Sequence, residues 1–369
     1  MQVKSIKLIK SLSNQVVLLR VDFNVPVKNG KVLEDDRILA SVPMIEYLLK
    51  KKAKVVLITH LGRPVGYDGK GKSGYDKKFD LSPVVKRAGE LLKRNIIFLG
   101  DKKIGRINDQ NIYFENAKKE IDKMKAGEIV MLENMRFFPE EAKEIIGLSK
   151  KIASLGDIFI LDGFAVAHRV AASISGVAKF LPSYAGFLLE KEIVGLDRVM
   201  KNPKKPLVVV LGGAKMETKI PVLDSFIKKA NNVLLGGGIV NTYLWATGHK
   251  VGDSLVDKKY KKEALKYCSN KKVILPIDVV VGKQNGTGAR VISLKNKLKL
   301  VKGEAIFDVG PGTVRLFAKY IKNANTLVWN GALGYFEQHP YEYGTRAVAR
   351  LLAARAKGGR LVCVVVVRL

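Results

Sequence analysis

The sequence predicts two α/β domains, each a doubly wound, Rossmann-like parallel sheet, joined by a hinge helix with a cleft between them. Three observations predict this. At 369 residues the chain exceeds the size at which a single hydrophobic core usually stops growing. Short apolar, β-branched runs alternate with amphipathic stretches, the pattern of strand and crossover helix. The alternation is interrupted once, by Asn202-Pro203-Lys204-Lys205-Pro206, whose paired prolines forbid helix continuation.

The first series of runs is Val16–Val21, Val55–Ile58, Ile96–Leu99, Ile129–Leu132 and Ile158–Leu161. Almost uniformly apolar, they read as strands buried on both faces. Between them Ile38–Lys51, Ser82–Lys93 and Glu140–Leu155 place apolar residues three and four apart, as amphipathic helices do. The second series is Leu207–Leu211, Val233–Leu235, Val273–Leu275, Ala305–Phe307, Thr326–Trp329 and Leu361–Val367. The long amphipathic segment Tyr184–Met200 lies between the two series and carries the expected hinge. The expected boundaries are residues 1–182 for the first domain, 183–206 for the connecting helix and hinge, and 207–369 for the second domain. No short-period repeat is present, which argues against a solenoid.

Composition narrows the function classes. No apolar run approaches the ~18 residues of a membrane span, and Cys268 and Cys363 are too few for a disulfide framework. A cytoplasmic protein without a membrane partner is expected. The formal charge of +31, from 65 Lys and Arg against 34 Asp and Glu, would attract polyanions. The lysines are scattered as small clusters rather than gathered in one arm or stripe, so a lysine-rich surface accounts for them better than a nucleic-acid site does. No specific nucleic-acid partner is expected, and a monomer is.

The functional signal lies in the residues just beyond each strand, because ligands of open α/β sheets bind past the strands' carboxyl ends. The first strand runs into Asp22 and Asn24, the second into His60 and Arg63, the Ile129 strand into Arg136, and the Ile158 strand into His168 and Arg169. One arginine is usually a solvated charge. Three near one sheet edge, with Arg37 as a fourth, read as a receptor for a small, multiply charged anion, since guanidinium forks match carboxylate and phosphate oxygens. In the second series Leu207–Leu211 opens into Gly212-Gly213-Ala214-Lys215, with Lys219 beyond; the next strand ends in Gly236-Gly237-Gly238, and a third runs into Gly310-Pro311-Gly312-Thr313. Each glycine pair alone suits a tight turn equally well. Three such turns expected on one sheet point to a nucleotide, with Gly212, Gly213, Ala214, Gly236, Gly237, Gly238 and Gly312 as its candidate contacts.

One motif misleads. Gly66-Tyr67-Asp68-Gly69-Lys70-Gly71-Lys72-Ser73 matches the P-loop spacing GxxxxGK[ST]. A P-loop leaves a strand directly and opens a helix at its lysine. Here the strand ends by Thr59 and the next helical pattern starts only at Ser82-Pro83, so a basic loop is the better reading.

These motifs, taken in order, resemble those of phosphoglycerate kinases over nearly the whole chain. Arg20-Val21-Asp22-Phe23-Asn24-Val25-Pro26 is succeeded by Asp35-Asp36-Arg37-Ile38, His60-Leu61-Gly62-Arg63-Pro64, Leu132-Glu133-Asn134-Met135-Arg136-Phe137 and Asp162-Gly163-Phe164-Ala165-Val166-Ala167-His168-Arg169. The second half adds Gly212-Gly213-Ala214-Lys215, Leu275-Pro276-Ile277-Asp278, the turn at Gly310, and Trp329-Asn330-Gly331-Ala332-Leu333-Gly334-Tyr335-Phe336-Glu337. Gly163 and Ala332 stand where the family more often has alanine and proline. The resemblance implies that Asp22, Asn24, Arg37, His60, Arg63, Arg136 and Arg169 hold 3-phosphoglycerate. It implies that Lys215, Lys219, Asn330 and Glu337 serve ADP or ATP, with Glu337 on the ribose hydroxyls and Mg2+ on the phosphates. The activity implied is reversible phosphoryl transfer between 1,3-bisphosphoglycerate and ADP, giving 3-phosphoglycerate and ATP.

The absence of an obvious general base suits that chemistry, because the nucleophile in the reverse direction is a carboxylate already ionised above pH ~4. What remains is to align two anions and neutralise the transferring phosphoryl group, for which Arg37 and Lys215 are the expected catalytic residues. The resemblance also implies a Gly-Gly-Gly-Asp/Glu-Thr turn after the last strand, carrying a metal-site acid. This sequence reads Val364-Val365-Val366-Val367-Arg368-Leu369 instead. The magnesium ligand is therefore unassigned, slower turnover is expected, and a catalytically impaired relic that still binds its ligands is the alternative. A basic nucleic-acid binder ranks third.

Overall fold

The computed structural model describes residues 4–66, 74–104, 107–143, 146–357 and 361–365. It separates into two compact units, Met1–Val194 and Gly195–Leu369. The division falls inside the helix Phe187–Lys201, just before the paired prolines.

In the first unit six parallel strands lie side by side in the order Ile97–Leu99, Ile129–Leu132, Lys54–Ile58, Val16–Arg20, Ile158–Leu161, Ser183–Ala185. Successive side chains of a strand point to opposite faces, and here both faces are covered. Val17, Leu19, Val55, Leu57, Met131 and Ile160 join one core, with Ile38, Met44, Leu48 and Val84 from the helices Asp36–Lys50 and Ser82–Leu92. Leu18, Val56, Ile58, Val130, Leu132 and Phe159 join the other, against Tyr113, Phe114 and Ile121 of Gln110–Asp122 and Ile152 of Ile146–Ala153. Each such side chain, fully buried, contributes about 1.5–3 kcal/mol. This double burial is why the strands are apolar runs rather than alternating ones.

The structure corrects two expectations in this unit. The segment expected as one helix over Glu140–Leu155 is a 3₁₀ turn at Glu141–Lys143 and then the helix Ile146–Ala153. The segment expected as a helix from Tyr184 begins with a sixth strand, Ser183–Ala185, before the helix starts at Phe187. A three-residue strand is too short to show a period. The helix is anchored at its start by Asp162, whose Oδ1 accepts the Leu188 amide at 2.7 Å. Residues 67–73 of the P-loop-like stretch lie outside the described residues.

The second unit holds a parallel sheet in the order Val273–Ile274, Asn232–Leu235, Leu207–Leu211, Thr326–Asn330, Leu361–Val365. The run Ala305–Phe307, expected on this sheet, is part of the strand Ala305–Val309 and belongs elsewhere. It pairs antiparallel with Asp278–Gly282, which pairs antiparallel with Arg290–Ser293, forming a separate three-stranded sheet. The hairpin turns at Asn285-Gly286, a dipeptide favoured in tight turns, with the Lys283 amide donating to the Thr287 carbonyl at 3.0 Å. An apolar run does not reveal the direction of its neighbour, which explains the misplacement. Val366, Val367, Arg368 and Leu369 lie outside the described residues.

Candidate functional site

Because Ile129–Leu132, Lys54–Ile58, Val16–Arg20 and Ile158–Leu161 are adjacent and parallel, the loops leaving their carboxyl ends converge on one edge. Asp22 and Asn24 lie just past the Val16–Arg20 strand. Asp22 accepts from Arg37, in the first turn of its helix, at 2.5 Å, with the carboxylate largely buried and the guanidinium partly exposed. Asn24 Oδ1 accepts the Gly62 amide at 2.8 Å. Arg136 donates to the carbonyl of the same Gly62. Gly62 adopts φ +59°, where a Cβ would also overlap the Phe79 ring, so the turn between His60 and Arg63 requires glycine there. Asn134 locks the loop from the other side, accepting the Leu61 amide at 3.1 Å and donating to the Leu61 carbonyl at 2.8 Å.

His60 is the buried centre of this edge, 3% exposed. Burial pushes its imidazolium well below the ordinary pKa of 6.5, and the charges of Arg20, Arg136, Arg169 and Arg37 push it further the same way. The ring is therefore neutral at physiological pH, with four guanidinium groups in electrostatic reach. Arg63 and Arg169 are exposed, the latter just past the short helix Phe164–Ala167. The structure thus gathers Asp22, Asn24, Arg37, His60, Arg136 and Arg169 at one sheet edge, with Arg63 on the loop three residues past His60.

Arg20 is a residue of this edge that sequence reasoning misses, although a lone charge inside an otherwise apolar, doubly buried strand is a signal for it. Only 1% exposed, it donates to the Val21 carbonyl at 2.5 Å, to Ser173 Oγ at 3.0 Å and to His60 Nδ1 at 3.0 Å. Ser173 in turn engages the buried Glu141. Neither Ser173 nor Glu141 carries any sequence signal.

In the second unit the helices Met216–Ile227 and Gly238–Ala246 begin at the carboxyl ends of adjacent parallel strands, with no side-chain cap on either. Between them the glycine turns pack backbone against backbone. The Gly212 amide donates to the Asn330 carbonyl at 3.0 Å, Gly213 to Ala332 at 2.6 Å, and Gly238 to Gly213 at 2.9 Å. A Cβ on Gly212 would overlap the Ala332 carbonyl, and one on Gly238 the Ala214 carbonyl. The glycines are thus required by one another, and the amides of Gly212, Gly213 and Gly238 are already in use. Lys219, 5% exposed, donates to Asn330 Oδ1 at 2.5 Å, and burial lowers its pKa. Lys215 is exposed at the start of its helix, and Glu337 is exposed on the loop beyond the Thr326–Asn330 strand.

The third glycine turn differs. It leaves the antiparallel sheet, and Asp278 already accepts the Gly312 amide at 2.8 Å and the Thr313 amide at 2.6 Å. The amino end of the helix Pro311–Asn323 is therefore capped by the protein's own carboxylate. The expectation of three turns on one sheet is corrected to two, Gly212–Gly213 and Gly236–Gly238, joined by the Asn330–Ala332 turn.

The sequence model of the family described as "Phosphoglycerate kinase" matches residues 6–366. The chain belongs to that family. It is 41% identical over 348 residues to the phosphoglycerate kinase of Pseudothermotoga lettingae, covering 93% of this chain and 83% of that protein. It is 40% identical over 344 residues to that of Pelotomaculum thermopropionicum, covering 91% and 82%. Among solved structures, phosphoglycerate kinase from Coxiella burnetii is similar with a TM-score of 0.78 at 35% identity, covering 99% of this chain and 88% of that one. The enzyme from Pyrococcus horikoshii is similar with a TM-score of 0.76 at 30% identity, covering 94% and 85%. The phosphoglycerate kinase family thus embraces both units, and its two-domain α/β architecture agrees with the sheets described above.

Proposed function

We propose that this chain is a phosphoglycerate kinase, catalysing reversible phosphoryl transfer between 1,3-bisphosphoglycerate and ADP to give 3-phosphoglycerate and ATP. The observation that carries the division of roles is the convergence of Arg20, Arg37, Arg136 and Arg169 around a neutral His60 at one sheet edge of the first unit. A site so cationic fits a ligand bearing both a phosphate and a carboxylate. In this reading Asp22 holds Arg37 by their ion pair, Asn24 and Arg136 set the Gly62 turn, and Arg63 and Arg169 add cationic contacts from the surface. The nucleotide belongs to the second unit, near Lys215, Lys219, Asn330, the two packed glycine turns and Glu337. Gly312 serves there by presenting no side chain, since its amide is committed to Asp278.

The substrate carboxylate is the nucleophile and needs no base, so the residues align and neutralise. Arg37 and Lys215 are assigned to the transferring phosphoryl group, where preorganised positive charge lowers the barrier most. Magnesium would offset nucleotide phosphate charge. Among the described residues no group of three His, Cys, Asp or Glu could hold a metal ion. No protein ligand is assigned to it. Among the described residues no helix is long and apolar enough to cross a membrane; a cytoplasmic monomer is part of the proposal.

Titration calorimetry of each ligand tests the division. Arg136→Ala and Arg169→Ala each remove a charge-assisted partner worth about 1.5–3 kcal/mol. They should weaken 3-phosphoglycerate by about 10–150-fold and leave ATP affinity within about twofold. Equal loss of both affinities would refute the assignment of one ligand to each unit.

A further inference from the structure

Behind the proposed substrate edge runs a chain of buried polar groups that no direct contact with substrate requires. Glu141, 4% exposed, accepts the Ser173 amide at 2.8 Å on one oxygen and the Ser173 hydroxyl at 2.5 Å on the other. Ser173 Oγ, wholly buried, then accepts Arg20 Nε at 3.0 Å. The far end of the same guanidinium lies 3.0 Å from His60 Nδ1. Four segments meet in this line: the loop after Arg136, the turn after Arg169, the Val16–Arg20 strand and the end of the Lys54–Ile58 strand. Each also leads into a residue of the proposed anion site.

We propose that Glu141, acting through Ser173 and Arg20, is a positioning residue that holds the His60 ring in its Nε2–H tautomer. The proton inventory requires this direction. A guanidinium has five donors and no acceptor, so the bond to His60 exists only if Nδ1 carries a lone pair. The ring's proton then sits on Nε2, which becomes the donor left for an anion. Burial and the surrounding arginines keep a second proton off the ring. Arg20 itself is a buried cation, and a buried charge persists only when paired and hydrogen-bonded. Burial opposes its charge, the Glu141 and Asp22 carboxylates favour it, and Ser173 is the fixed link to Glu141. A buried carboxylate thus sets the orientation of a neutral donor, in the way a carboxylate behind a metal-ligating histidine selects its tautomer.

This inference rests on the reading of that edge as the phosphoglycerate site, and the experiment separates the two. With four histidines in the chain, ¹⁵N-histidine labelling allows His60 to be assigned by single replacement. Long-range ¹H–¹⁵N correlation of the wild-type protein at pH 7.5 should show His60 protonated at Nε2 alone. Ser173→Ala should give mixed tautomers and raise KM for 3-phosphoglycerate at least fivefold with KM for ATP unchanged, and Ser173→Thr, which keeps the hydroxyl, should restore both. Glu141→Gln provides the same readout if Ser173→Ala does not fold. A wild-type ring protonated at Nδ1, or an unaltered tautomer in both variants, would overturn the proposal. Mixed tautomers with an unchanged KM would uphold the relay and overturn the placement of His60 in the substrate site.

Discussion

Asp308 offers a test of the second unit in which both sign and size come from the structure. It is 2% exposed, in the strand Ala305–Val309, and accepts the Gly344 amide at 2.7 Å and the Val309 amide at 2.9 Å. Gly344 lies in the first turn of the helix Tyr343–Lys357, so this carboxyl ties strand to helix. Burial raises its pKa to about 7, with the charge of Glu342 adding to the rise and the two amides opposing it. A group whose folded pKa is raised binds its proton more tightly in the native state. Its stabilising contribution is full below the unfolded value near ~3.8 and is lost as pH rises through about 7. At about 1.36 kcal/mol per unit, roughly 2.5 kcal/mol of that loss falls between pH 5 and pH 8. Asp308→Asn removes the titration while keeping one acceptor, which adds an offset that does not vary with pH. Both tryptophans, Trp245 and Trp329, lie in the second unit, so urea unfolding monitored by their fluorescence reads this unit alone. The wild type should lose about 2.5 kcal/mol more than the variant between pH 5 and pH 8. Parallel pH profiles would refute the reasoning.

The packing and the charge each predict one further outcome. Gly237 adopts φ +64°, and a Cβ there would stand 2.7 Å from the Gly213 carbonyl oxygen; Gly237→Ala should destabilise the second unit by at least ~2 kcal/mol and weaken ATP binding. Tryptophan-monitored unfolding and calorimetry read both effects, and an unshifted urea midpoint would show that the glycine turns are not packed as described. Binding to duplex DNA, driven by the +31 charge, should be independent of sequence and largely gone by physiological salt. Filter binding across a salt series measures it, and tight sequence-selective binding at physiological salt would contradict the account.

The central strands of both sheets are legible in the sequence because double burial leaves a continuous apolar run, and the residues just past those runs are legible because parallel strands bring their carboxyl ends together. The limits are equally physical. Ser183–Ala185 is too short to display a period, and Ala305–Val309 looks the same whether its neighbours run parallel or antiparallel. Glu141 sits in a stretch with the spacing of an amphipathic helix, where an exposed acid is ordinary; only the fold buries it against Ser173. The glycines are conspicuous for a reason only partly their own. Their pattern suggests close approach to phosphate, whereas Gly212, Gly213 and Gly238 are demanded first by neighbouring backbone. Gly312 shows no sign of its carboxylate partner, because Asp278 is brought to it by a strand pairing that its own sequence does not announce.

The most direct test of the central claim is a coupled assay that tracks ADP formation from ATP while 3-phosphoglycerate is varied. ADP formation should saturate with 3-phosphoglycerate, be negligible without it, and fall at least ~100-fold in Arg37→Ala, the loss expected when one electrostatic donor to the transferring group is removed. ADP formation at a rate independent of 3-phosphoglycerate, or unchanged in Arg37→Ala, would contradict that claim.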